Sequence, residues 1–308
     1  MPYDVNQPPA RSRRPVRGGA LLAVAALAAA CLSGCGGPSG PPEAGAGASP
    51  SATATDTPTP RPGGTPPSGD AKPADPGAEP GAGTGPLAGK VVVIDPGHNP
   101  GNFRHTREIN TLVDIGTHRK ECDTTGTSTN DGHTEAEFTL DVSHRLRTLL
   151  EKQGARVQFT QDDDRPFGPC VDERARIGNK ASADAVVSVH ADGSGVGNRG
   201  FHVILPALVK DGSADTTKIV GPSRELGERI AGTFVRATGS KPSNYVGGGT
   251  GLDVRGDLGG LNLSTVPKVF IECGNMRDAK DAALLTSTQW RQKAAQGIAD
   301  GISTYLLG

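Results

Sequence analysis

Two histidines and two glutamates carry the chemistry this sequence can offer: His98, Glu135, His190 and Glu272, separated by 37, 55 and 82 residues in turn. Two imidazoles and one carboxylate form the ligand set of a catalytic zinc that keeps a fourth position open for water. A second carboxylate beside such a centre can act as general base. Taken singly, each residue has a plainer use. A lone histidine is usually structural or at the surface, and Glu135 alone would serve as an acid at a helix start. Glu272, inside Val269-Phe270-Ile271-Glu272-Cys273-Gly274, needs a partner or a function, because a buried carboxylate is costly. No compact His-Glu-x-x-His helix is present, so the four act together only if the fold gathers them.

The elements that must do this are legible from hydrophobic patterning. Residues 90–94 (Lys-Val-Val-Val-Ile) form a β-branched run that ends at Asp95-Pro96-Gly97, the signature of a fully buried strand, and such runs favour parallel sheets. Residues 134–154 follow a helical period through Phe138, Val142, Leu146 and Leu150, with Thr134 as N-cap and Gly154 as stop. Strands are predicted at 156–160, 185–189, 201–205 and 268–271, and helices at 171–181, 223–237 and 287–307. This alternation predicts one α/β domain with a largely parallel central sheet flanked by helices. In open sheets of this kind the ligand crevice lies at the carboxyl ends of the strands. His98, His190 and Glu272 follow three predicted strands, and Glu135 opens a helix. Residues 99–134 show little periodicity and read as a long functional loop.

The chain has 308 residues with 44 Gly and 25 Pro, an excess over average usage. It concentrates in residues 36–88, where Leu87 is the only large apolar side chain; this stretch is predicted to be a disordered Pro/Gly/Ala-rich linker. Upstream, Arg11, Arg13, Arg14 and Arg17 precede an apolar run over 19–30 and small residues ending in Leu32-Ser33-Gly34-Cys35. That order is a secretory signal, too short to span a bilayer. Leu-Ser-Gly-Cys resembles a bacterial lipobox, which would make Cys35 the lipidated first residue of the mature chain. Ser12-Arg13-Arg14 leaves the choice between Sec and Tat export open. The expected organisation is therefore a signal peptide with lipobox over 1–35, a linker over 36–88 and a catalytic domain over 89–308. A linker of that length has a root-mean-square reach of roughly 40 Å.

In an oxidising exterior two of Cys122, Cys170 and Cys273 should pair. Cys122 and Cys170 sit in loop-like sequence and are the expected disulfide, while Cys273 lies in an apolar run and reads as a small buried hydrophobe. A formal net charge of −1, with no basic cluster in the folded part, gives a nucleic acid no footprint. Gly195-Val196-Gly197-Asn198-Arg199-Gly200 fits a dinucleotide-binding pattern but leads into a strand, so it reads as a turn. His105, His118, His133, His144 and His202 read as surface or structural residues.

Four blocks, taken in order, go further. Val93-Ile94-Asp95-Pro96-Gly97-His98-Asn99, Thr134-Glu135-Ala136-Glu137-Phe138, Ser188-Val189-His190-Ala191-Asp192 and Phe270-Ile271-Glu272-Cys273-Gly274-Asn275 resemble the motifs of zinc-dependent N-acetylmuramoyl-L-alanine amidases. Cys122, Gly168-Pro169-Cys170-Val171-Asp172-Glu173-Arg174-Ala175 and Leu258-Gly259-Gly260-Leu261-Asn262-Leu263 look like the actinobacterial, mycobacterial-type branch. The resemblance implies one zinc ion held by His98, Glu135 and His190, with Glu272 as the catalytic glutamate; Glu137 is the alternative to Glu135. It implies a cut in peptidoglycan between the lactyl group of muramic acid and L-Ala of the stem peptide. It also implies an exported enzyme held at the membrane by its N-terminal lipid. Cys273 departs from the pattern, since a Leu commonly follows the glutamate. A zinc peptidase cutting within the stem and a non-catalytic wall-binding lipoprotein remain alternatives, and the need for a protein activator is open.

Overall fold

A computed structural model of the chain describes residues 83–308. The expected signal peptide, the expected lipobox with Cys35 and the expected linker up to residue 82 lie outside the described residues.

Ten principal elements build the domain: β1 (Val91–Pro96), α1 (Glu135–Lys152), β2 (Arg156–Phe159), α2 (Val171–Lys180), β3 (Ala185–Asp192), β4 (His202–Pro206), α3 (Val220–Thr238), β5 (Leu252–Arg255), β6 (Lys268–Asn275) and α4 (Thr288–Leu307). The six strands form one sheet in the order β2-β1-β3-β6-β4-β5. Every pairing is parallel except that between β6 and β4. The largely parallel sheet expected from the β-branched runs is therefore present, with the two strands at one edge, β4 and β5, running in the opposite sense to the other four.

The burial pattern explains the runs. Val92, Val93 and Ile94 are all fully buried, because helices cover both faces of β1. Val92 and Ile94 join the large core made with Phe138, Val142, Leu146 and Leu150 of α1, Leu226, Ile230 and Phe234 of α3, and Ala294, Ile298 and Ile302 of α4. Val93 faces the other way, packing with Val186 and Ala183 and against Ile177 of α2. α1 starts where its sequence says it should. The Thr134 side chain accepts from the Glu137 backbone N–H, and the Glu137 carboxylate accepts from the Thr134 N–H, a complete capping box.

Three features differ from the expectation. The packed domain begins before residue 89: Leu87, assigned above to the linker, is fully buried in the main core, and its N–H donates to the Gln153 carbonyl at the end of α1. β5 was not foreseen, because four residues of mixed polarity at a sheet edge carry no period to detect. Residues 99–134 are ordered into short helices at Asn102–Arg104 and Thr106–Ile109 and a small hairpin, Leu112–Asp114 with Arg119–Glu121. The expected disulfide, Cys122–Cys170, joins this segment to the start of α2, and Cys273 is free and buried.

Candidate active site

Parallel pairing puts residues that follow or end β1, β3 and β6 at one end of the sheet. His190 and Glu272 are direct cross-strand partners, His98 follows β1 two residues after its end, and Glu135 is the first residue of α1. Glu135 lies between the two imidazoles. Its Oε2 is 3.1 Å from Nε2 of His98 and its Oε1 is 2.9 Å from Nδ1 of His190. One ligand atom from each of His98, Glu135 and His190 lies within 4.8 Å of the others, close enough to share one metal ion. Two backbone donors steady the carboxylate: the N–H groups of Thr127 and Ala191, at 2.9 and 3.2 Å. Glu137 has its carboxylate on the helix cap instead.

The surroundings fix each ring. Nδ1 of His98 lies 3.1 Å from the Thr124 carbonyl and 3.5 Å from Asp123. Donation from that nitrogen frees Nε2 to face Glu135. The His190 ring stacks on Phe270 and meets the His98 ring edge-on. Close approach of backbone to His190 is possible only at a glycine: a Cβ on Gly97 would stand 2.3–2.6 Å from the His190 ring atoms. Gly126, with φ of +75°, is equally constrained, since a Cβ there would be 2.8 Å from the His98 ring and 2.9 Å from the Glu135 carboxylate.

Electrostatics separate the two glutamates. Burial alone would raise Glu135, but the flanking His98 and His190 overcome it and hold the carboxyl well below the usual range. His98 is pushed up, burial being outweighed chiefly by the Glu135 carboxylate. Glu272 is raised well above its ordinary value, first by burial and then by Glu135 and Asp192. Its Oε2 is buried without a hydrogen-bond partner, in the same recess as His98, Glu135 and His190. An orphaned carboxylate oxygen beside two imidazoles and a carboxylate fits a site that takes a divalent cation and a water, so the donor set is compatible with zinc.

A chain of buried charges behind the site was not foreseen from the sequence. Asp95 at the end of β1 accepts from Thr160 (2.6 Å), Ser188 (2.5 Å), Arg174 (2.8 Å) and Lys268 (3.1 Å). Arg174 in turn donates to Asp123 at 2.9 Å and to the backbone carbonyl of His98 at 2.9 Å. That carbonyl belongs to a residue with φ of +62°, a conformation unfavourable for a side chain with a Cβ. Arg174 and Gln161, which donates to the same carbonyl at 3.0 Å, hold it there. Asp95 and Arg174 fall inside the resemblance blocks, but nothing in their spacing signals that they touch. His202, read from sequence as a surface or structural residue, is buried as the cross-strand partner of Glu272, with the Tyr245 ring edge-on to it. Tyr245 donates to Asp192 at 2.7 Å. His133 is exposed.

A three-layered α/β fold with two imidazoles and two carboxylates gathered at the carboxyl ends of parallel strands defines a metallohydrolase-like domain. The family model for N-acetylmuramoyl-L-alanine amidase matches residues 92–304, and the chain belongs to that family. It is 40% identical over 221 residues to the N-acetylmuramoyl-L-alanine amidase Rv3717 of Mycobacterium tuberculosis, covering 71% of this chain and 88% of the relative. Among solved structures, the amidase Ami1 from Mycobacterium smegmatis superposes with a TM-score of 0.65 at 38% identity, over 71% of this chain and 98% of its own. The apo form of Ami1 from Mycobacterium abscessus gives the same TM-score at 40% identity, over 71% of this chain and 100% of its own.

Proposed function

We propose that this protein is an exported, zinc-dependent peptidoglycan amidase that cleaves the bond between the lactyl group of N-acetylmuramic acid and L-Ala of the stem peptide. The observation that carries the reading is the convergence of His98, Glu135 and His190 on one point with the unpaired Glu272 carboxylate in the same recess. His98, Glu135 and His190 hold the ion, which when bound polarises the amide carbonyl and lowers the pKa of water.

The chain's own residues do the rest. Glu272 takes the proton of the attacking water at its free Oε2 and returns it to the departing amino nitrogen of L-Ala. Burial and the Glu135 and Asp192 charges push Glu272 upward, the direction that helps a carboxylate keep a proton between taking it and returning it. Thr124, through its carbonyl, sets the tautomer and orientation of His98. The Thr127 and Ala191 N–H groups keep Glu135 between the imidazoles.

The basic-then-apolar N-terminus and the Leu-Ser-Gly-Cys35 box support delivery across the membrane and lipid anchoring on its outer face. A tether there keeps substrate at high effective concentration.

The test is mass spectrometry of the products formed from purified peptidoglycan by the wild-type chain, the zinc-stripped chain and Glu272→Gln. Intact stem peptides with a free L-Ala amino terminus are expected from the zinc-loaded wild type, with the rate lowered about 10²- to 10⁴-fold by Glu272→Gln. Shortened peptides still joined to muramic acid would move the cut into the stem. Bound zinc with no product would make the protein a wall binder.

A further inference from the structure

Across the adjacent strands β3, β6 and β4 the residues His190, Glu272 and His202 stand directly opposite one another, so their side chains leave one face of the sheet in a single row. Glu272 therefore has an imidazole on each side, and the candidate metal centre accounts for only one of them. We propose that the other, His202, is a positioning residue for Glu272: its Nδ1–H donates to the Glu272 carboxylate and keeps it aimed at the point where His98, Glu135 and His190 meet. The inference rests on the general-base role given to Glu272 above.

Unmet demand is the first argument. Oε2 of Glu272 and Nδ1 of His202 are both buried out of reach of solvent, and neither has a hydrogen-bond partner. An orphaned buried polar atom is costly. Here the two orphans belong to paired residues, whose Cβ atoms an antiparallel ladder brings to about 4.5–5.5 Å. One atom is an acceptor and the other a ring nitrogen that donates when it carries the proton. The last torsion of a glutamate is broad, so a turn of the carboxylate joins them without moving either strand.

The surroundings of the ring are the second argument. His202 is 3% exposed, and burial holds it below the usual histidine range against the pull of Asp192 and Asp253. At neutral pH it is thus an uncharged imidazole with one N–H to give. The Tyr245 ring, 5.9 Å away and edge-on, fixes its plane. The neighbouring polar groups are largely taken: the Tyr245 hydroxyl donates to Asp192, which also accepts from the Gly193 N–H, and Arg255 is tied to Asp257 through Nε and Nη2. Of the nearby carboxylates, Glu272 stands directly opposite His202, whereas Asp253 on β5 pairs with Ile204. A neutral donor orients Glu272 without the full charge that would pull its pKa down. A carboxylate oxygen has more than one lone-pair site, so Oε2 held by His202 can still take the proton of the attacking water.

The experiment uses the zinc-loaded full chain and has two arms. Long-range ¹H–¹⁵N NMR of the His202 ring reads its tautomer in the wild type, Glu272→Leu and Asp253→Asn. The Nδ1-protonated form is expected in the wild type and in Asp253→Asn, with a change to the Nε2-protonated form in Glu272→Leu. An Nε2-protonated ring in the wild type overturns the inference, as does a tautomer that follows Asp253 and ignores Glu272. The second arm measures zinc content and hydrolysis of purified disaccharide muropeptides. His202→Leu should lower kcat about 10- to 100-fold, the worth of one hydrogen bond to a charged group, with KM and zinc per chain held within about twofold. His202→Asn puts an amide N–H₂ where Nδ1 stands and should recover most of the rate, while His202→Gln, whose amide lies nearer Nε2, should not. Equal rates in the Asn and Gln variants overturn the inference, and that comparison decides alone if His202→Leu fails to fold. A Glu272-dependent tautomer in a chain that releases no stem peptide upholds the His202–Glu272 bond and sinks the amidase reading. Release of stem peptides with a tautomer indifferent to Glu272 does the reverse.

Discussion

Replacing Asp95 by Asn tests whether the buried charges behind the site hold it together. Asp95 and Lys268 are 2% and 1% exposed at their side chains, and Arg174 is 6% exposed. In Asp95→Asn the Oδ1 acceptor toward Thr160 and Arg174 survives and the Ser188 hydroxyl can turn to accept, but an amide N–H₂ now points at the Lys268 ammonium, which can only donate. Arg174 keeps Asp123, but the buried Lys268 ammonium loses the one carboxylate it pairs with among the described residues. Breaking a buried pair in this way costs about 3–5 kcal/mol, a large share of the 5–15 kcal/mol that a domain has in total. For a domain of this size the melting temperature should fall by on the order of 10 °C. Lys268→Met added to Asp95→Asn removes the stranded charge and should recover part of the loss. The double-mutant cycle should then show a coupling of about 2 kcal/mol. Urea unfolding of residues 83–308, followed by circular dichroism, measures all four corners. Because Arg174 also holds the His98 carbonyl and Asp123, zinc content measured beside stability should fall in Asp95→Asn as well. Additive effects below about 1 kcal/mol for each single variant would refute the argument that these charges are mutually dependent.

Four further outcomes follow from the same geometry. Burial alone would raise Asp95, but Lys268, Arg174 and two hydroxyls hold it far below the usual carboxylate range. Its stabilisation is thus complete above the unfolded pKa near 3.9, is lost progressively as pH falls below about 4, and should vanish from the acid limb of a stability–pH profile in Asp95→Asn/Lys268→Met. The Cys122–Cys170 bridge spans 48 residues, so Cys122→Ser/Cys170→Ser should lower unfolding free energy by about 4 kcal/mol on chain-entropy grounds, as read by chemical denaturation. Gly97→Ala forces the His190 ring aside; zinc measured by atomic absorption should fall below one per chain and turnover by about 10²-fold, whereas full occupancy would show that the ring has room. Stripping the metal with a chelator should lower the melting temperature, and restoring free zinc to about 1,000 times its Kd should return about 4 kcal/mol.

Much of the sheet was readable because β1, β3 and β6 are buried on both faces and spell themselves out as continuous β-branched runs. α1 was readable from its cap to its stop because Thr134 and Glu137 act locally. β5 was not, since Leu252-Asp253-Val254-Arg255 earns its place only by pairing with β4. Leu87 looked like an isolated apolar residue in a Pro/Gly-rich tract, and only the core it enters explains it. The candidate metal-ligand set is a harder case. Spacings of 37, 55 and 82 residues carry no geometric signal, and the four motif blocks pointed to it where periodicity could not. The contacts among Asp95, Arg174, Asp123 and Lys268 were invisible for the same reason: each is an ordinary polar residue until the fold closes.

The described chain enters the fold at the end of the domain away from the site. Leu87 is bonded to Gln153 just past the carboxyl end of α1, whereas Glu135 opens that helix 18 residues earlier, about 27 Å away at 1.5 Å per residue. β1 likewise starts beside Leu87 and finishes beside the site. The described chain therefore begins at the rear of the domain, with Gly83 against Gly154, and the recess that gathers His98, Glu135, His190 and Glu272 opens at the opposite end.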